Sequence, residues 1–227
     1  DPTNDLAGNT QYFVVLTSGN IKDAAGNAYA GISTYDFKTA SIFNGTAGND
    51  TLTGTSGADT INGLAGNDII TGGAGTDTMD GGHGSDLYIM AASGDHATAE
   101  ITDTGESGTD EVRFTSATAN ATLTLYAGDT GIEQAVIGTG TSGAAVTTAK
   151  TALSINASAL TYGLTLIGNA GANTLTGGNG ADKLEGGAGN DTIDGGLGRD
   201  TITGGDGDDL MTGGSDGYDI FYIDGND

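Results

Sequence analysis

From Gly45 onward the apolar positions of this chain recur at every ninth residue. Leu52, Ile61, Ile70, Met79 and Tyr88 each sit in the middle of a three-residue segment, separated by six residues rich in Gly, Asp and Asn. The spacing returns from Gly168 with Leu175, Leu184, Ile193, Ile202 and Met211, and then Phe221 after one inserted residue. A helix would repeat its apolar positions every three or four residues, so this period excludes one. In a three-residue strand only the middle side chain faces one side of the sheet, so each repeat sends one apolar residue inward and two outward. The Gly-rich six residues reach positive φ at little cost and turn the chain. Two repeats then close an eighteen-residue coil, and alternate repeats stack about 4.8 Å apart. The pattern predicts an all-β fold: a parallel β-roll, or β-solenoid, with two nonapeptide blocks.

The other segments read differently. Residues 92–167 lose the Gly-Asp punctuation but keep short alternating strands at Glu111–Phe114, Leu123–Leu125, Leu153–Ile155 and Leu164–Leu166. They read as a wider parallel solenoid continuing the stack, with a separate small β-domain as the alternative. Near the start, Tyr12–Leu16 and Thr34–Lys38 read as strands around a turn at Asp23-Ala24-Ala25-Gly26-Asn27. The resulting division is 1–43, 44–91, 92–167 and 168–227.

Composition changes the picture by asking what holds such a roll together. Aromatic residues make up 6% of the chain and Trp is absent, while Gly supplies 43 residues. A single file of core side chains offers about 1.5–3 kcal/mol per repeat, against roughly 1–2 kcal/mol for ordering each residue. The charge suggests the missing contribution. Thirty Asp plus Glu against 6 Lys plus Arg give a formal net charge of -24. Such a chain repels nucleic acid, and it holds no run long and apolar enough for membrane insertion. Asp among Gly and Asn at fixed spacing points to a hard cation with oxygen ligands, calcium before zinc or copper. Cys is absent, which excludes disulfides and thiolate sites.

The repeats GTAGNDTLT, GTSGADTIN, GLAGNDIIT, GGAGTDTMD and GGHGSDLYI, and those from GNAGANTLT to GGSDGYDIFYI, resemble the GGxGxDxUx nonapeptide of RTX proteins. The resemblance implies calcium held between stacked turns by the sixth residue of each repeat and by turn carbonyls. It implicates Asp50, Asp59, Asp68, Asp77 and Asp86, then Asn173, Asp182, Asp191, Asp200, Asp209 and Asp219 as metal ligands, with about seven to ten calcium ions in all. Asn173 keeps an oxygen but loses a charge, so its site should be weak or differently capped. Thr46, Thr55, Leu64 and Asn169 replace the second Gly, which should alter the carbonyl geometry of those turns. Residues 10–40 resemble the last strands of a bacterial immunoglobulin-like domain, whose earlier strands are missing, so an intact sandwich cannot form here alone.

Other matches carry less. Gly213-Gly214-Ser215-Asp216-Gly217 fits the G-x-S-x-G pattern of serine hydrolases but lies inside a repeat turn, with no strand-to-helix elbow. No H-E-x-x-H is present, and no enzyme activity is expected. His83 and His96 are read as exposed. Asp103, Glu106, Asp110 and Glu111 are read as charges solvating the linker rather than as a further cation site. Tyr88 and Phe221 are expected to close their blocks, and the sequons at Asn44, Asn120 and Asn156 arise by chance in an Asn- and Thr-rich chain.

The opening Asp1-Pro2-Thr3-Asn4 has no signal-peptide character and the chain ends abruptly at Asp224-Gly225-Asn226-Asp227, so it reads as a fragment or mature piece of something larger. The expected role is a calcium-dependent folding and structural module of a large type I-secreted extracellular or bacterial cell-surface protein, adhesin or surface-layer-like. Its further partner would be a cell-surface component or another copy of the chain. The alternative is the C-terminal folding and export module of a secreted enzyme such as a protease or lipase.

Overall fold

The computed structural model describes residues 11–16, 32–38, 41–105 and 107–223. Strands β1 (Gln11–Leu16) and β2 (Ile32–Lys38) pair antiparallel. The turn expected at 23–27 lies outside the described residues.

From Ser41 the chain winds into coils. The first block supplies β3 (Ser41–Asn44), β4 (Thr51–Thr53), β5 (Asp59–Asn62), β6 (Ile69–Thr71), β7 (Thr78–Asp80) and β8 (Leu87–Met90). The middle segment supplies β9 (Glu111–Phe114), β10 (Thr122–Thr124), β11 (Gln134–Ile137), β12 (Ser154–Asn156) and β13 (Thr165–Ile167). The second block supplies β14 (Thr174–Thr176), β15 (Lys183–Ala188), β16 (Thr192–Asp194), β17 (Thr201–Asp206), β18 (Leu210–Thr212) and β19 (Ile220–Tyr222). One face is a nine-stranded sheet in the order β19-β17-β15-β13-β11-β9-β8-β6-β4. The opposite face carries β3-β5-β7 and β10-β12-β14-β16-β18, with bridges Met79 to Ile101 and Thr102 to Thr130 between them. All strand pairings from β3 to β19 are parallel. Parallel neighbours need a crossover, and here the crossover is a turn, a strand of the opposite face and a second turn. The chain is thus an all-β parallel roll.

Within the blocks the register advances by eighteen residues per coil, as where Leu184 faces Ile202 and Ile193 faces Met211. In the middle segment the coils widen: Leu87 pairs with Glu111, and Gln134 with Thr165. The two sheets enclose one file of apolar side chains. Ile61, Ile70, Met79 and Tyr88 are fully buried, as are Val112, Leu123, Ile155 and Leu166, and then Leu175, Leu184, Ile193 and Ile202. Leu52 and Met211 are only partly buried. Phe221 departs from its expected place in the core, being 43% exposed. It lies on β19, the outermost strand of its sheet, where no further described coil covers it. Among the described residues no helix is long and apolar enough to cross a membrane.

Candidate metal centre

Each repeat Asp sits immediately before a strand, or at its first residue, so stacking the strands also stacks the carboxylates. Beside the nine-stranded sheet the Asp50 N–H donates to Asp68 Oδ1 at 2.7 Å, Asp68 N–H to Asp86 at 2.7 Å, and Asp86 N–H to Asp110 at 2.7 Å. Asp110 N–H then donates to Glu133 Oε2 at 2.8 Å. The line resumes with Leu164 to Asp182, Asp182 to Asp200 and Asp200 to Asp219. Across the roll Asp59 donates to Asp77, Asn173 to Asp191 and Asp191 to Asp209. One oxygen of each acceptor carboxylate is therefore committed to the coil before it.

The second oxygen divides the turns into two kinds. In turns 45–50, 54–59, 168–173 and 177–182, the N–H of the second residue closes on the sixth side chain. Thr46 reaches Asp50 at 2.6 Å, Thr55 reaches Asp59 at 2.6 Å, Asn169 reaches Asn173 at 2.8 Å and Gly178 reaches Asp182 at 2.8 Å. The Thr46 and Thr55 hydroxyls donate to the same oxygens at 2.9 Å. The Asn173 amide is spent on Leu153 O at 3.1 Å and Asn169 Oδ1 at 3.2 Å.

In the other seven turns the second residue is left-handed, with φ of 81° at Leu64, 94° at Gly73 and 108° at Gly187, and likewise at Gly82, Gly196, Gly205 and Gly214. Its N–H no longer meets the carboxylate. The Oδ2 atoms of Asp68, Asp77, Asp86, Asp191 and Asp200 are buried without any hydrogen-bond partner. Every open turn lies one coil above another turn of its own block, whereas the closed turns are the first two of each block.

These open oxygens are electrostatically costly. Burial holds the Asp86 carboxyl up at about 6 and Asp191 at about 7, and it holds Asp182, in a closed turn, up at about 6 as well. It raises Asp68, Asp77 and Asp200 as well. A buried acceptor left without a donor costs about 1–3 kcal/mol, and more when charged. A hard cation bound by carboxylate and carbonyl oxygens removes that cost, and the donors at these turns are all oxygen, which suits calcium.

Several acids outside the repeats join these rows. Asp103 and Asp110, expected to solvate a linker, are 7% and 4% exposed. Burial holds Asp110 up at about 7, and Asp86, Asp103 and Asp110 each offer an oxygen within 4.8 Å of the others. Glu111 instead accepts from the buried Arg113 at 2.6 Å, and Glu106 lies outside the described residues. The sequence held a signal here: Gly105-Glu106-Ser107-Gly108-Thr109-Asp110-Glu111-Val112-Arg113 keeps the first Gly, fourth Gly, Asp and apolar position of a repeat. Gly108 takes φ 110°, as the fourth residues of the open turns do. The Gly-Asp punctuation therefore persists at this point of the middle segment.

His96 departs from the exposure expected of it. It is 1% exposed, with Nε2 at 2.8 Å from Asp129 and Nδ1 at 3.5 Å from Glu100. Its partner Asp129 is thirty-three residues downstream, where no local pattern could reveal it. His83 is exposed.

Comparison with known families agrees with this geometry. A family described as RTX calcium-binding nonapeptide repeat matches in four copies, at residues 41–68, 53–88, 165–193 and 185–218. A bacterial Ig-like domain matches residues 1–39. No curated protein matches the chain. RTX repeats bind calcium, and the two outer stretches of this roll match the model of that repeat family, after a segment that matches the bacterial Ig-like domain.

Proposed function

We propose that this chain is a calcium-dependent folding module of a type I-secreted, cell-surface protein of adhesin or surface-layer type. Residues 44–91 and 168–227 are its calcium-loading blocks, and 92–167 is the segment of roll that connects them. The observation that carries the reading is the set of buried, partnerless Oδ2 atoms on Asp68, Asp77, Asp86, Asp191 and Asp200. Each belongs to a turn stacked on an earlier one, and one ion per such pair gives about three ions in the first block and four in the second. Asp50, Asp59, Asn173 and Asp182 serve as lower partners in these pairs, their outer oxygens being held within their own turns. Asp209 and Asp219 complete the upper pairs. The Ig-like segment ahead of the roll supports the adhesin-type reading over an enzyme's export module.

Calcium modules outside cells bind with dissociation constants of about 10⁻⁴–10⁻³ M. The repeats should therefore remain open in cytoplasm and close outside it. Far-ultraviolet circular dichroism from chelator to millimolar calcium should show a cooperative gain of β-structure, with magnesium substituting poorly because it demands a smaller octahedral shell. A spectrum already β-rich in excess chelator, or native mass spectrometry finding at most one ion, would overturn the reading.

A further inference from the structure

We infer that Asp86, Asp103 and Asp110 form an additional calcium site, where the roll passes from the first repeat block into the middle segment. The inference rests on the reading of the repeat turns as calcium sites and extends it to Asp103 and Asp110, which no repeat match covers.

The geometry repeats that of a stacked pair and adds a third carboxylate. Asp86 N–H donates to Asp110 Oδ1 across the coil, as Asp68 N–H does to Asp86 one coil earlier. The turn ending at Asp110 sits directly on the turn 81–86: Gly84 N–H donates to Ser107 O at 3.2 Å, and Gly84 O closes on Gly108. The bridge that pairs Ile101 with Met79 sets Asp103 one coil above Gly81, the first residue of that turn. Asp103 Oδ1 accepts from Gly105 N–H at 2.9 Å and its Oδ2 from the Tyr88 hydroxyl at 2.6 Å, while that hydroxyl accepts from Gly81 N–H at 2.6 Å. Tyr88, read from the sequence as a plain core cap, thus aims a carboxylate.

The three acids offer oxygens within 4.8 Å of one another, and all three are more than nine-tenths buried. Asp86 Oδ2 has no partner. The ion pairs among the described residues put no Lys or Arg on any of them. Three ionised carboxylates from two coils repel one another in the low-dielectric interior unless a cation sits among them, and an all-oxygen shell of this charge selects calcium. The ion bolts the first coil of the middle segment to the repeat stack, so calcium controls the fold of residues that lack most of the repeat pattern.

The test is Asp103→Asn, which keeps size and lets the Tyr88 hydroxyl still donate. Native mass spectrometry in calcium should find one ion fewer than in the unaltered chain, about seven against about eight. An equal count with an unchanged calcium titration would overturn the inference and leave the repeat sites standing. An unaltered chain that takes no calcium would instead overturn the functional reading. Should Asp103→Asn fail to fold, terbium supplies the second readout, since it takes the oxygen shell of calcium and is excited by an adjacent phenol. Tyr88→Phe should then lower tyrosine-sensitised terbium emission, and unchanged emission would count against the site.

Discussion

At the scale of the residue, a repeat Asp that stacks on an earlier coil uses its two oxygens for two purposes. One takes an N–H from the coil below, and the other is either closed by its own turn or left open. Asp50 and Asp191 represent the closed and the open oxygen. Asp50 gives its second oxygen to Thr46, whereas Asp191 Oδ2 is buried without a partner. Asp191→Ala should therefore raise the calcium needed for folding roughly tenfold, equivalent to about 1.4 kcal/mol, and Asp50→Ala much less. Calcium titrations followed by circular dichroism compare the two directly, and equal midpoints would contradict the distinction. The repeat positions of these acids were legible from period alone. Their division into open and closed turns was not, because it depends on whether the second residue is left-handed, and Gly178 in a closed turn and Gly187 in an open one look alike in sequence.

At the scale of the element, the turns stack backbone on backbone. Gly187 has φ 108°, and a Cβ placed there would come within 2.5 Å of Asn169 O. Gly187→Ala should cost about 2 kcal/mol or more, from a left-handed residue with a side chain and from the contact itself. Gly94→Ala meets nothing within 4 Å and should be close to neutral. Denaturant unfolding in saturating calcium separates the two, and a neutral Gly187→Ala would refute the close stacking. The short strands were visible because Val112, Leu123, Ile155 and Leu166 each stand alone among polar neighbours or alternate with them. The pairing of Asp110 with Asp86 was hidden by the twenty-four residues between them, where the repeats take eighteen. Glu133 and Glu100 were hidden further, since a longer side chain at an irregular interval carries no pattern.

At the scale of the whole molecule, the raised carboxyls tie the metal-free roll to pH. Asp86 and Asp182 titrate at about 6 and Asp110 and Asp191 at about 7, above the ordinary 3.8, so between those values the folded chain binds more protons than the unfolded one. Their contribution is fully present below pH 3.8 and is lost as pH rises through about 6 to 7. In excess chelator the chain should gain β-structure on acidification from pH 7.5 to about 5, and circular dichroism showing no change or a loss would contradict this. With calcium present the direction reverses, because protons compete for the ligands. The period indicated a parallel roll, and the short strands of residues 92–167 indicated its wider continuation, which β9, β11 and β13 form; the length of each of those coils was not legible, because the coils change length while keeping their strands parallel. The ladders also have a mechanical meaning. Hydrogen bonds of a parallel sheet run across its strands, hence along the length of this roll. Tension applied along that axis loads one coil at a time, and each eighteen-residue coil that yields frees on the order of 60 Å of chain from a slab about 4.8 Å thick. The molecule is a wound tether that should lengthen under load in discrete steps, and on the proposed calcium reading each repeat coil is held shut by the cation beneath it.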